Sequence, residues 1–224
     1  MPEVVFLSDK NKDRYLRIVS PVGKLLGRLH VHPDILSLTG LILSAMAGLI
    51  YSTGSFFWGA WVVVLAGTCD VLDGQIAKQN EKETAFGAFF DSTLDRFGEV
   101  FMFLGLAWHF SGGHAFLGGE GGTPADSQSP LAVLFIVLAI AGSFMVSYTR
   151  ARAEGLGVEC EVGWMQRPER ITLLVIGSLL GSLPIIGHLL MKLSLLLLAI
   201  LSNFTAVQRM AHVRKELKRG DQGH

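Results

Sequence analysis

Charge is what this chain lacks most: only 17% of its residues are Asp, Glu, Lys or Arg, whereas 50% are hydrophobic. A soluble domain of this size carries more charge, so the balance points to an integral membrane protein. Net charge is missing too. Nineteen basic side chains offset 19 acidic ones, which excludes a general polyanion binder and leaves no nucleic-acid partner. Cysteine is limited to Cys69 and Cys160, too few for a disulfide framework, and both read as packing residues. The opening MPEVVFLSDKNKDR lacks the apolar run and flanks of a cleaved signal peptide, so insertion depends on the first internal hydrophobic segment. No internal repeat stands out, and 224 residues suit one domain.

Long apolar runs are present in number. Residues 34–53, 57–78, 84–110, 130–153, 168–182 and 187–215 each approach the ~20 residues that cross ~30 Å of hydrocarbon, the fifth falling short. Before them, residues 10–29 place Tyr15, Ile18, Val22, Leu26 and Leu29 on one stripe and basic residues elsewhere, the pattern of an amphipathic interfacial helix. Ser20 followed by Pro21 reads as an N-cap and first-turn proline that would split it. The glycine-rich 111–129 is a loop, and SLPI at 182–185 a tight turn. The expected fold is therefore an all-α integral membrane protein. An amphipathic juxtamembrane segment (1–33) precedes a domain of six transmembrane helices (34–216), and a tail (217–224) follows. Lysine and arginine crowd onto one side of this layout, with only Lys192 on the other. The positive-inside rule makes the crowded side cytoplasmic, both termini included. In a bacterial-type cell that is the inner membrane.

On the same side lie four aspartates. Asp70 and Asp73, three apart, share a face of the second helix; Asp91 and Asp95, four apart, share a face of the third. The short polar link between them predicts antiparallel neighbours with carboxylates opposed. Gly74, Ala77 and Gly87 are structural small residues expected to let the two helices approach closely. Four carboxylates so close need compensation, and oxygen-only ligation suits Mg²⁺, Mn²⁺ or Ca²⁺. Two divalent ions bridged by shared carboxylates suit displacement at phosphorus. The structural alternative is an ion-paired cluster with Lys78, Lys82 and Arg96. Intramembrane acids, however, are costly and mark function.

The whole pattern is D-x2-D-G-x2-A-K-x8-G-x3-D-x3-D, spanning residues 70–95. It resembles the signature of the CDP-alcohol phosphotransferase family, with Lys78 where arginine is usual; lysine keeps the charge but loses the planar fork. The resemblance implies a magnesium-dependent transfer with homodimeric relatives. A CDP-linked lipid such as CDP-diacylglycerol binds, an acceptor hydroxyl attacks the β-phosphorus, and CMP leaves. It implies Asp70, Asp73, Asp91 and Asp95 as ligands of Mg²⁺ or Mn²⁺, with Asp95 the catalytic base or a further ligand. Asp34, Ile35, Leu36, Ser37, Gly74, Lys78 and Thr84 would line the CDP-lipid. From the sequence alone, Asp34 and Ser37 read equally well as a first-turn acid and a helix cap.

Further along, "SYTRARAE…RPER…VQR" brings arginines from three helices to the same side. Arg150, Arg170 and Arg209 can converge on a phosphorylated acceptor, while Arg152 and Arg167 read equally well as positive-inside anchors. This arrangement resembles the phosphatidylinositol-phosphate synthase branch of the family and its archaeal ether-lipid counterparts, implying inositol phosphate as acceptor; glycerol 3-phosphate or another alcohol is the alternative. An intramembrane prenyltransferase would leave the ordered glycines without purpose. A divalent-cation transporter would carry polar residues onward, yet beyond Glu99 the helix reads VFMFLGLAWHF. His109 and His114 are expected near the outer surface, facing headgroups or solvent. Trp58, Trp61 and Trp108 read as interfacial anchors, and Trp164 as a cover for the pocket.

Overall fold

The structure is a computed structural model that describes residues 19–23, 32–79, 84–113 and 128–221. All secondary structure among these residues is helical. Helix α1 spans Pro33–Ser52, α2 Phe56–Gln79, α3 Ala85–Ser111, α4 Pro130–Glu154, α5 Arg167–Gly181 and α6 Gly187–Asp221. Local signals set these boundaries. Proline opens α1, α4 and α5 in the first turn, where its missing N–H costs nothing. Ser129 and Thr84 cap α4 and α3 through their side-chain oxygens. Gly112, at φ 81°, closes α3 in the left-handed conformation that favours glycine.

The helices form a ring. Helix α1 packs along both α2 and α3, α2 along α5, α5 along α6, α6 along α4, and α4 along α3. Successive helices run in opposite directions, so α1, α3 and α5 start, and α2 and α4 finish, at one end of the bundle. The ring encloses an apolar core that includes Tyr51, Leu106, Phe110, Ile136, Met191 and Leu195, all fully buried. The exterior is apolar as well: Leu49, Trp58, Leu65, Leu104 and Ile200 are each more than half exposed. Such a surface belongs in lipid rather than water.

Helices α1, α2, α4 and α6 are long and apolar enough to cross a membrane. Helix α3 carries Asp91, Asp95, Arg96 and Glu99 in its first half, and α5 has 15 residues.

Two sequence expectations about packing are corrected. Helices α2 and α3 make little direct contact, because α1 lies against both. The close approach is between α1 and α3: a Cβ on Gly48 would strike the Phe101 carbonyl, and one on Gly105 the backbone of Gly48. Similarly, Gly142 of α4 sits against Ser202 and Asn203 of α6. Gly74, by contrast, faces open space, and Gly87 meets only the Thr84 hydroxyl and, at the edge of contact, Asp34. The side chains of Ala77 and Lys78 lie outside the description.

Most of the amphipathic segment 10–29, and His114, also lie outside the described residues. Residues 19–23 are helical with Ser20 and Pro21 inside the helix, so that helix does not begin at Pro21. Val19 packs with Leu36, Leu72 and Ile76 against the start of α1 and the end of α2. His109 does not face headgroups. It is buried, with Phe56 edge-on at 5.1 Å and His188 stacked at 5.8 Å. Spacing explains this, since Met102, Gly105, Leu106 and His109 share one buried face of α3.

Candidate active site

All four aspartates gather where α1, α3 and α5 begin and α2 nears its end. Oxygens of Asp70, Asp91 and Asp95 lie within 4.8 Å of one another. Asp73 is turned toward α1, where it accepts a 2.7 Å hydrogen bond from the Ser37 hydroxyl, and its carboxyl also meets that of Asp91. Each carboxylate is thus held by the helical register the sequence indicates.

Ser37 is not a cap. His32 occupies the N-cap position without a side-chain bond, and Ser37, one turn inside α1, serves Asp73. Asp34 lies in the first turn and pairs with His32 at 3.3 Å. Leu36 is buried and Ile35 is 58% exposed. Thr84 caps α3, its Oγ1 accepting from the Gly87 amide at 2.9 Å. The first turns of α1 and α3 and the open face of α2 at Gly74 therefore border the carboxylates on three sides.

The fourth side is α5. Arg167, its first residue, pairs with both Asp70 and Asp95. Arg96 adds a second positive charge 3.8 Å from Asp95. Sequence reasoning left Arg167 open between a pocket residue and a positive-inside anchor, and the structure makes it a partner of the aspartates. One turn on, buried Arg170 donates to Glu99 at 2.7 Å and to the Met165 carbonyl at 3.2 Å. Its Nε has no partner among the described residues. Asp95 and Glu99, four apart on α3, are thereby matched by Arg167 and Arg170, three apart on α5, as two rungs of one ladder.

The other expected acceptor arginines cluster nearby, with Arg209 in electrostatic range of Arg150 and Arg170, but each is engaged locally. Arg150 pairs with Glu154 at 2.8 Å and Glu161 at 3.0 Å. Buried Arg209 donates to the carbonyls of Val162 at 2.9 Å and Val146 at 2.6 Å. Together with the Met165 amide bond to Thr205 at 3.1 Å, this fastens the α4–α5 connection onto α6. Trp164 belongs to that connection and packs on Phe204 of α6, with ring centroids 5.8 Å apart. The half-buried Cys69 and buried Cys160 are both free. Burial pushes the Cys160 thiol up, as suits a packing group.

Whether the carboxylates suit a metal can be judged from the donor set. It consists of oxygens alone, contributed by rigid helices and close enough to share one ion. A guanidinium already answers the same concentration of negative charge. That is the requirement of a hard divalent cation.

An all-helical ring with an apolar exterior, and with carboxylates and arginines gathered at one mouth, marks that mouth as the functional site of an integral membrane protein. The family model of CDP-alcohol phosphatidyltransferases matches residues 30–204, and the chain belongs to that family. It is 38% identical to an archaetidylinositol phosphate synthase of Methanothermobacter thermautotrophicus, over 90% of this chain and 91% of that one. Identity to a phosphatidylinositol phosphate synthase of Mycolicibacterium smegmatis is 32%, over 89% and 85%. Among solved structures it is similar to the Mycobacterium tuberculosis phosphatidylinositol phosphate synthase with CDP-DAG bound: TM-score 0.74, 29% identity, covering 88% of this chain and 94% of that one. The same enzyme in complex with manganese and citrate gives a TM-score of 0.73 at 30% identity, covering 87% and 88%.

Proposed function

We propose that this protein transfers a phosphatidyl-type group from a CDP-linked lipid to a hydroxyl of inositol phosphate, releasing CMP. The observation that carries this reading is the meeting of Asp70, Asp91 and Asp95 beside an arginine-bearing first turn of α5. The names of the relatives, inositol-phosphate lipid synthases of archaea and bacteria, support the acceptor.

Asp70, Asp73, Asp91 and Asp95 would hold divalent cations, Mg²⁺ or Mn²⁺, with two ions the arrangement that best uses four carboxylates. A divalent cation held by these carboxylates would supply charge neutralisation for the diphosphate and the departing CMP. Gly74, with nothing packed against it, would leave α2 open for the CDP moiety beside Asp34, Ser37 and Thr84, and the family pattern assigns Lys78 to the same moiety. Asp95 would accept the proton of the acceptor hydroxyl as the hydroxyl oxygen bonds to the β-phosphorus. The anhydride bond breaks at the same phosphorus and its electrons leave with CMP. Arg170, whose Nε has no partner among the described residues, would take the acceptor phosphate, with Arg150 and Arg209 shaping the pocket.

Helices α3 and α5 complete six crossings in this reading. Their charges lie at one end and satisfy each other, as intramembrane charges must. The concentration of lysine and arginine at that end makes it cytoplasmic, which gives the enzyme access to soluble acceptors from the cell interior.

Membranes containing the protein, supplied with CDP-diacylglycerol, a divalent cation and one labelled acceptor at a time, test the proposal. Inositol phosphate should enter lipid with stoichiometric CMP release. Incorporation of glycerol 3-phosphate but not inositol phosphate would reassign the acceptor.

A further inference from the structure

Arginine is a poor choice for the first residue of a helix, where the backbone amides already present positive potential. The favourable residue in that turn of α5 is Glu169, yet Arg167 stands at its head, followed by Pro168. Helix stability therefore does not account for it. Its guanidinium reaches across the mouth of the ring to Asp70 on α2 and Asp95 on α3. These are two of the three residues whose oxygens converge to within 4.8 Å. Its Nε is buried without a partner among the described residues, so the side chain's hydrogen bonding is incomplete in this position. The other cation at the cluster, Arg96, stands 3.8 Å from Asp95 and donates to the Ser92 carbonyl of its own helix.

We propose that Arg167 is an exchangeable counter-cation. It bridges Asp70 and Asp95 while the carboxylates hold no metal, and gives up those bonds when a divalent cation binds. Two consequences follow. The bundle keeps its mouth assembled without metal, because α2, α3 and α5 are tied through one guanidinium. Metal must also displace a paired positive charge, so Arg167 lowers the intrinsic metal affinity of the triad and sets the cation concentration at which the site loads. This rests on the reading of the triad as a metal site.

The test measures Mn²⁺ binding to the full-length, detergent-solubilised protein without substrate, by the loss of the free Mn²⁺ resonance, together with thermal unfolding in chelator. Arg167→Gln should bind Mn²⁺ about tenfold more tightly, as removal of a like charge beside the ligands requires. Its unfolding temperature in chelator should fall, and the rise on adding Mn²⁺ should exceed that of the wild type. Arg167→Lys keeps the charge but cannot bridge two carboxylates with a planar fork. It should fold and show a smaller shift in the same direction, so the test survives if Arg167→Gln does not fold. Unchanged or weaker Mn²⁺ binding in both variants overturns the exchange. Wild-type binding that is absent, or indifferent to Asp91→Asn, overturns the metal site itself, a separate failure.

Discussion

The two ends of the helix ring are built on opposite principles. At the end where α1 meets α2, Tyr51, Phe56, Phe110 and His109 pack ring against ring, and the Tyr51 hydroxyl joins Ser178 of α5 at 2.8 Å. Midway, backbone meets backbone at Gly48 and Gly105. At the other end α2 and α3 stand apart, and charge spans the space: Arg167 to Asp70 and Asp95, Arg170 to Glu99. Close packing is insensitive to ions and cannot open without losing dispersion contacts. Ion pairs can be exchanged for a ligand of the same charge. One end is therefore suited to holding the bundle together and the other to chemistry, and substitutions at the two ends should fail in different ways.

The largest effect is expected at Asp95. Asp95→Asn keeps the shape and removes the proton acceptor, so turnover should fall by about 10²–10⁴-fold. CDP-lipid should still bind, and the unfolding temperature should fall only modestly, because the Arg167 bond to this carboxyl is weakened while its bond to Asp70 remains. A variant with near-normal rate would remove Asp95 from the base role and blur the functional contrast between the ends.

The Arg170–Glu99 pair sharpens the comparison, because it is a buried structural pair to which the proposed function gives an acceptor-binding role as well. Both side chains are about 95% buried, at 5% and 6% exposure. Losing one partner of such a pair leaves a buried charge unanswered and costs about 3–5 kcal/mol of stability. Arg170→Ala should therefore unfold readily, whereas the double change Arg170→Met with Glu99→Leu should recover most of that loss. In the double variant the KM for the phosphorylated acceptor should remain raised more than that for the CDP-lipid. Equal losses for both substrates would make the pair structural only.

Much of the reactive end was legible in the sequence because helical periodicity alone dictates it. Aspartates three and four apart must share faces, and one polar link folds two such faces to the same end. What periodicity cannot supply is the partner from elsewhere in the chain. Arg167 lies 72 positions beyond Asp95, and the positive-inside rule accounts for an arginine there just as well. The same limit misassigned the small residues. Neighbours in sequence suggested an α2–α3 contact at Gly74 and Gly87, while the glycines that meet backbone are Gly48 and Gly105, more than fifty residues apart. His109 shows the reverse case: its burial was legible from Met102, Leu106 and the three- and four-residue spacing, but a helix-end position was read as exposure.

The packed region gives the remaining test of the contrast. A methyl group on Gly105 has no free volume, since its position is taken by the carbonyl and Cα of Gly48 on α1. Helix backbones cannot yield as a flexible side chain does, so α1 must move away from α3 along the contact. Overpacking of this kind costs about 1–3 kcal/mol, less than an orphaned buried charge. Gly105→Ala should thus lower the unfolding temperature while leaving Mn²⁺ affinity and acceptor KM near wild type at temperatures where it is folded, because no carboxylate or arginine borders Gly105. Thermal unfolding and Mn²⁺ titration on the same preparation decide the point. A loss of metal affinity without loss of stability would mean that α1, which bonds Asp73 through Ser37, carries strain from the packed region to the carboxylates, and the two ends would have to be treated as one coupled device.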